Sequence, residues 1–216
     1  MLLAIDTATN HSSIALHDGQ TLRGEFTWES INRHTVTLTP HINNLLTEIG
    51  ISPAELSAIA VCKGPGSYTG VRIGVALAKG MALTQQIPLI GITTLDILMV
   101  AQPPSPRAVY AILAVGRKRI GYVRYRYQDV AGWQAETELD IVEWAQMPGR
   151  IREPAIVVGE ISAQGHAVLA TLQEEVEVPV PAQHLRRAGF LAELAGAELR
   201  AGEVGDPALL VPIYAR

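Results

Sequence analysis

The sequence predicts an α/β fold of two subdomains, the second reduced, and three observations carry that expectation. Short apolar runs that read as strands alternate with longer segments whose apolar residues recur at helical spacing. The stretch Pro103-Pro104-Ser105-Pro106 excludes helix and central strand and divides a first domain, 1–102, from a second, 103–216. After that break the same alternation returns in weaker form.

Residues 2–8 are apolar up to Asp6 and then polar, as in a strand entering a turn. Ser13 to Leu16 and Leu22 to Trp28 read as two further strands joined by the hairpin signal Asp18-Gly19. Leu38, Ile42, Leu45, Leu46 and Ile49 share one helix face, and Gly50 is placed to end that helix. Pro40 allows two starts, near Arg33 with a bend or at Thr39 with Pro40 in the first turn. Ser52 to Glu55 reads as a short helical turn. The strand Ala58–Cys62 follows, then a glycine-rich loop, a helix from Val71 to Leu83, a strand from Ile87 to Ile92 and a helix capped by Thr93 or Thr94. In the second half Ala108–Val115 and Ile120–Tyr127 form a hairpin joined at 116–119. Asp140–Met147 is expected as a short helix, Ala155–Val158 as a strand and Ala163–Leu172 as a helix broken at Gly165. Val176–Val180 is a strand, Leu185–Ala201 a long helix with Gly202 beyond it, and 208–214 an extended tail.

The loop Lys63-Gly64-Pro65-Gly66-Ser67-Tyr68-Thr69-Gly70 holds the most chemistry. Strand, glycine loop and helix in succession bring backbone N–H groups to an anion or to a closely packed backbone. No Gly-Lys-Ser/Thr follows, so it is not a Walker loop. Three residues rather than two separate Gly66 from Gly70, so it is not the usual dinucleotide fingerprint. Phosphate contact and a plain tight turn both stay open, with Ser67 or Thr69 as the helix cap. The helix that follows has two apolar stripes, Val71, Val75, Ala78 and Ala82 with Gly74 beside them, and Ile73, Leu77 and Met81. It is therefore expected to be buried on more than one side.

GPGSYTGVRIG, the opening LLAIDTATNHSSIAL, RHTVTLTPHINNLL, GITTLDIL and the final PIYAR together resemble the TsaB (YeaZ-type) family, mainly over residues 1–100. The resemblance extends to actin-like ATPases, sugar kinases and the TsaD paralogue, which implies two ribonuclease-H-like subdomains of the actin-like ATPase (ASKHA) class. It implies a part in placing a threonylcarbamoyl group on the adenosine beside the anticodon of certain tRNAs, as a non-catalytic partner of TsaD. The implied partners are the TsaD paralogue, a TsaE-type ATPase, tRNA through the complex, and a second copy of this chain when the partner is absent. Asp6, Thr7, Gly64, Gly66, Ser67, Thr69 and Gly70 are the nucleotide-loop candidates that the resemblance marks. It implies no resident cofactor and leaves open an ATP or ADP shared with partner subunits. The expected interface joins the helices 33–49 and 70–83, with His34, Leu38, His41 and Leu45 on one and Val71, Gly74, Val75, Ala78 and Ala82 on the other.

Departures from the enzymes of that class weigh against independent activity. No glycine follows Asp6-Thr7 closely, and Ala114-Val115-Gly116-Arg117 lacks the acid that close relatives carry in Asp-Ala-Gly-Arg. Phosphoryl transfer needs metal-bound charge and a positioned base. The alternative that remains is a small ATP-dependent phosphotransferase using Asp6, Thr7 and the 64–70 loop. His34 and His41 lie seven apart, about 10.5 Å of helical rise, too far for two ligands each ~2 Å from one ion. The remaining histidines form no compact spacing, so no metal site is expected. Gly66-Ser67-Tyr68-Thr69-Gly70 has one residue too many for a nucleophile elbow.

The net charge of -4 argues against a general nucleic-acid binder. Five of the 17 Lys and Arg residues nevertheless fall at Arg117, Lys118, Arg119, Arg124 and Arg126, a solvated hairpin face or a patch for tRNA phosphate or an acidic partner. No apolar run approaches the ~20 residues of a membrane helix. The start of the chain lacks a basic n-region, so no signal peptide is expected. The single Cys62 allows no intrachain disulfide. A cytoplasmic protein is expected.

Overall fold

Two sheets with the same strand order organise the chain. The structure is a computed structural model that describes residues 1–31, 34–116, 118–172, 174–203 and 205–215. The first sheet is built from β1 (Leu2–Asp6), β2 (His11–His17), β3 (Leu22–Glu29), β4 (Ala58–Cys62) and β5 (Leu89–Ile92), in the order β3-β2-β1-β4-β5. β1, β2 and β3 are antiparallel, whereas β4 and β5 join in parallel. The second holds β6 (Ala108–Val115), β7 (Arg119–Gln128), β8 (Gly132–Ala135), β9 (Asp140–Glu143), β10 (Ala155–Gly159) and β11 (Val176–Glu177). Its order is β11-β10-β6-β7-β8, with β9 also paired to β7. Apart from β9, the two sheets share one plan: an antiparallel meander followed by two parallel strands. This is the ribonuclease-H-like plan used twice, and the second use is reduced, since β11 has two residues and α4 (Ala163–Leu169) seven.

The central strands β1 and β4 are buried at every position, as expected of strands covered on both faces. Helices α1 (His34–Ile49) and α2 (Tyr68–Gln85) cover one face, and α5 (Ala188–Ala201) the other. Gly24 on β3 lies under Leu45 and Ile49 of α1, while Glu25 beside it accepts from the Gly189 N–H of α5 at 2.8 Å. Pro40 sits inside α1, so the earlier helix start is the one adopted. The proline is exposed, and having no N–H it cannot donate to the carbonyl of Val36, which is itself an exposed residue. A short helix, α3 (Thr94–Val100), follows β5 with Thr93 Oγ1 accepting from the Asp96 N–H.

The chain divides into a unit of Met1–Ile97 with Arg186–Tyr214 and a unit built on Leu98–Leu185. The last helix was expected in the second domain but packs with the first unit. Its face of Ala188, Leu191, Ala192 and Ala195 is small and apolar enough to lie flat on β1 and β2. The helix expected at 140–147 is instead strand β9 followed by a 3-10 turn at Trp144–Gln146. Val142 and Trp144 are buried while Glu143 is exposed, a period of two that the free edge of β7 captures. Gly165 does not break α4; a side chain there would strike the Trp144 indole. Among the described residues no helix is long and apolar enough to cross a membrane.

Candidate functional site

The first glycine loop closes down on the turn after β1. Ideal Cβ atoms at Gly66 and Gly70 would lie 2.1 Å from the carbonyl oxygens of Ala8 and Thr7, and one at Gly74 would lie 2.3 Å from Thr7 Oγ1. Only glycine lets the start of α2 approach the backbone that closely. Hydrogen bonds then fasten the contact. The Ser67 N–H donates to Ala8 O at 2.6 Å and the Thr7 hydroxyl to Gly70 O at 2.8 Å, and Ser67 Oγ caps α2 by accepting from the Gly70 N–H. Ser67 is thus the cap, while Thr69 is exposed. Gly64, at φ +94°, lies under the Ile213 carbonyl of the C-terminal tail.

Asp6 is only 1% exposed and fully engaged. Its Oδ1 accepts from the Ala8 N–H at 2.9 Å and its Oδ2 from Arg186 Nε at 2.9 Å, while Arg186 Nη2 donates to Thr9 Oγ1 at 2.6 Å. The sequence reading did not single out Arg186. Its one signal was an arginine pair directly before an apolar helical run, which alone says nothing about where it points. The partner arrives from 180 residues away because α5 lies across β1 and β2.

His34 is buried where α1 starts, with Nδ1 3.0 Å from both Ser12 Oγ and Ser30 Oγ, themselves 2.7 Å apart. Burial holds its pKa below the ordinary histidine value, and the charge of Asp6 only partly opposes this. Both serines are fully buried, so the cluster anchors α1 to β2 and offers no open nucleophile. Burial also pushes the Cys62 thiol up to about 12, which leaves it inert. His41 packs at a tilt against Phe26 and Trp28, with ring centroids 4.6 and 4.5 Å away. Among the described residues no group of three or more His, Cys, Asp or Glu is placed to hold a metal ion.

The expected interface residues do not lie together on an open face. His34, Leu38, Val71, Gly74, Val75, Ala78 and Ala82 are buried inside the first unit, and only His41 and Leu45 of that set reach solvent. The reason is steric. Of the two stripes on α2, the sheet takes the one with Gly70 and Gly74, because it alone permits contact with the β1 turn. The outward side of α2 carries Ala76, Gly80 and Leu83, flanked by the half-buried Ile73 and Leu77 that pack against the core, and that of α1 carries Val36, Pro40 and Asn43.

In the second unit Glu160 Oε2 accepts from the Ala114 N–H at 2.8 Å, so a carboxylate sits on the loop whose own acid is missing. Of the basic hairpin, Arg117 lies outside the described residues, and Lys118 and Arg119 are exposed. Arg124 pairs with Glu136 at 2.7 Å and Arg126 with Glu153 at 2.6 Å, with cross-pairs at 3.7 and 3.3 Å. Two acids therefore compensate these two bases.

Comparison with known proteins decides the kinship. A tRNA threonylcarbamoyladenosine biosynthesis protein TsaB of Bacillus subtilis is 31% identical over 218 residues, covering 100% of this chain and 93% of its own. The chain belongs to the TsaB family. The Escherichia coli TsaB is 44% identical over 95 residues, which span 44% of this chain and 40% of that protein. The family described as TsaD, tRNA N6-adenosine threonylcarbamoyltransferase, matches residues 24–180, as kinship between paralogous families implies. Among solved structures, YeaZ from Pseudomonas aeruginosa superposes with a TM-score of 0.75 at 24% identity over 99% of both chains. A second Pseudomonas aeruginosa protein, described as similar to peptidase YEAZ, gives 0.77 at 22% identity over 100% and 99%. These two establish that the TsaB-family fold extends over the whole chain.

Proposed function

We propose that this chain takes part in tRNA threonylcarbamoyladenosine biosynthesis as the non-catalytic partner of a TsaD-type transferase. One observation carries the non-catalytic part: Arg186 occupies the carboxylate of Asp6. In actin-like enzymes the corresponding acid faces a metal ion or nucleotide. Here a guanidinium just before α5 neutralises it in a buried site, and the Gly66–Gly74 segment presses on the same turn, so a phosphate there would have to displace that pairing. Glu160 on the Ala114 amide has the same sense in the second unit, because a carboxylate there repels phosphate. The chain then contributes surface, and α1 and α2 present their outer sides to the TsaD paralogue, or to a second copy when that partner is absent. The target is adenosine in tRNAs that read codons beginning with adenine. A TsaE-type ATPase supplies nucleotide hydrolysis in a cytoplasmic complex.

Co-purification with the TsaD paralogue tests the reading, with particle mass measured for each protein alone and for the mixture. A stable heteromer is expected, together with no ATP turnover by the isolated chain. Turnover that disappears in Asp6→Asn would overturn the non-catalytic role, and two proteins that migrate independently would overturn the partnership.

A further inference from the structure

Of the edge strands in the two sheets, β3 is the longest, with eight residues, and among the described residues it pairs with β2 alone. The Ser30 N–H donates to Asn10 O at 2.7 Å, in line with the register that sets Glu29 opposite His11 and Thr27 opposite Ser13. In an antiparallel ladder, pairs whose backbones bond alternate with pairs whose backbones do not. Residues 26 and 28 therefore bond to β2, and Glu25, Thr27 and Glu29 turn their backbone groups away from it.

This rim faces solvent. Leu22, Arg23, Phe26 and Glu29 are all exposed, Phe26 by 42%. Phe26 also stacks on Trp28 with ring centroids 5.3 Å apart, so two aromatic rings run along the edge. Lysine and proline are the residues that ordinarily keep an exposed edge from pairing with another chain, and residues 22–29 contain neither.

We propose that β3 pairs antiparallel with β3 of a second copy of this chain, across a two-fold axis at Phe26. The residues of the strand select that register. With Phe26 opposite its own copy, Arg23 falls opposite Glu29 and Glu25 opposite Thr27. The two-fold repeats each pair, so opposite charges meet at both ends of the contact. An axis at Thr27 would set Glu25 against Glu29, and one at Glu25 would set that residue against its copy, so both oppose like charges. An axis between two residues would set outward backbone groups against groups already bonded to β2. At the axis, Phe26 is in a pair without backbone bonds, the kind in which side chains come closest. The Phe26 and Trp28 rings of both copies then meet on one face. Arg23 lies at the bulge where the β2–β3 register shifts and pairs with Asp18 at 3.3 Å, a solvent-screened contact that costs little to exchange for Glu29. The outer sides of α1 and α2 take no part, so this pairing is separate from the docking surface proposed above.

Sedimentation of the full chain over a concentration series reads the pairing, and the wild type should form a reversible dimer. Glu29→Arg sets two arginines opposite one another and Arg23→Glu two glutamates. Each variant alone should dimerise about tenfold more weakly. Mixed in equal amounts, the two are complementary at both ends and should pair with each other nearly as well as wild type. Phe26→Cys should cross-link to a dimer under mild oxidation, because a Cα separation of about 4.5 Å suits a disulfide. Thr27→Cys, roughly 9 Å from its own copy in this register, should not. The buried Cys62, its thiol raised to about 12, does not compete. A wild type that stays monomeric throughout, a variant mixture that fails to pair, or equal cross-linking at the two cysteines would overturn the proposal. So would a dimer abolished by Ala76→Arg, since the outer side of α2 would then hold it. None of these results would touch the partnership with the TsaD paralogue, which co-purification reads separately.

Discussion

Replacing Arg186 with methionine puts the central ion pair to a quantitative test. The partners are 6% and 1% exposed, so solvent screens the interaction little. Methionine keeps most of the buried stem and deletes the guanidinium, which leaves Asp6 a buried carboxylate with the Ala8 N–H as its one remaining donor among the contacts above. Breaking a buried pair from one side costs about 3–5 kcal/mol, because the orphaned charge loses its compensation. For a chain of this length each kcal/mol moves the melting temperature by roughly 2–4 °C, so a fall of roughly 6–20 °C is expected. Adding Asp6→Asn removes the orphaned charge and should recover at least half of the loss. The assay is thermal melting by circular dichroism at pH 7.5 on the wild type, both single variants and the double variant. A shift below about 1 kcal/mol for Arg186→Met, or strict additivity of the two changes, would show that the pair is not the buried, coupled contact described above. None of the four proteins should gain ATP turnover.

Gly70→Ala should push α2 away from Thr7 by about 1 Å; an overpacking cost of about 1–3 kcal/mol, partly offset by the better helix former, predicts a net loss near 1–2 kcal/mol, read by urea denaturation. Ala78→Arg should give misfolded or insoluble protein, because it places an unpaired charge in the core. Ala76→Arg, on the exposed side of α2, should keep the wild-type melting temperature yet abolish co-purification with the TsaD paralogue; retention of the complex would exclude that surface. The low pKa of buried His34 adds stability that is complete above its unfolded value near 6.5 and is lost as pH falls toward the depressed folded value. His34→Gln should therefore flatten the melting temperature between pH 7.5 and 5 relative to wild type, and parallel curves would contradict the assignment. Arg124→Gln with Arg126→Gln should change tRNA affinity of the assembled complex by no more than about twofold at low salt, since those charges are already compensated; a larger loss would restore them as phosphate contacts.

The sequence by itself determined the strand and helix order of the first hundred residues, the hairpin at Asp18-Gly19 and the family, and it narrowed the α2 cap to Ser67 or Thr69. These are local signals: periodicity, turn chemistry and motif order act over a few residues and need no knowledge of what lies opposite. The tertiary structure alone decided which stripe of α2 faces inward, because two apolar stripes look alike until the close approach at Gly70 and Gly74 selects one. It also turned 140–143 into a strand, since the open edge of β7 outbids a weak helical preference there. Above all it brought Arg186 onto Asp6. No local pattern relates residues 180 positions apart, and their meeting depends on α5 crossing the first sheet, a choice made by packing area and visible only in the folded chain.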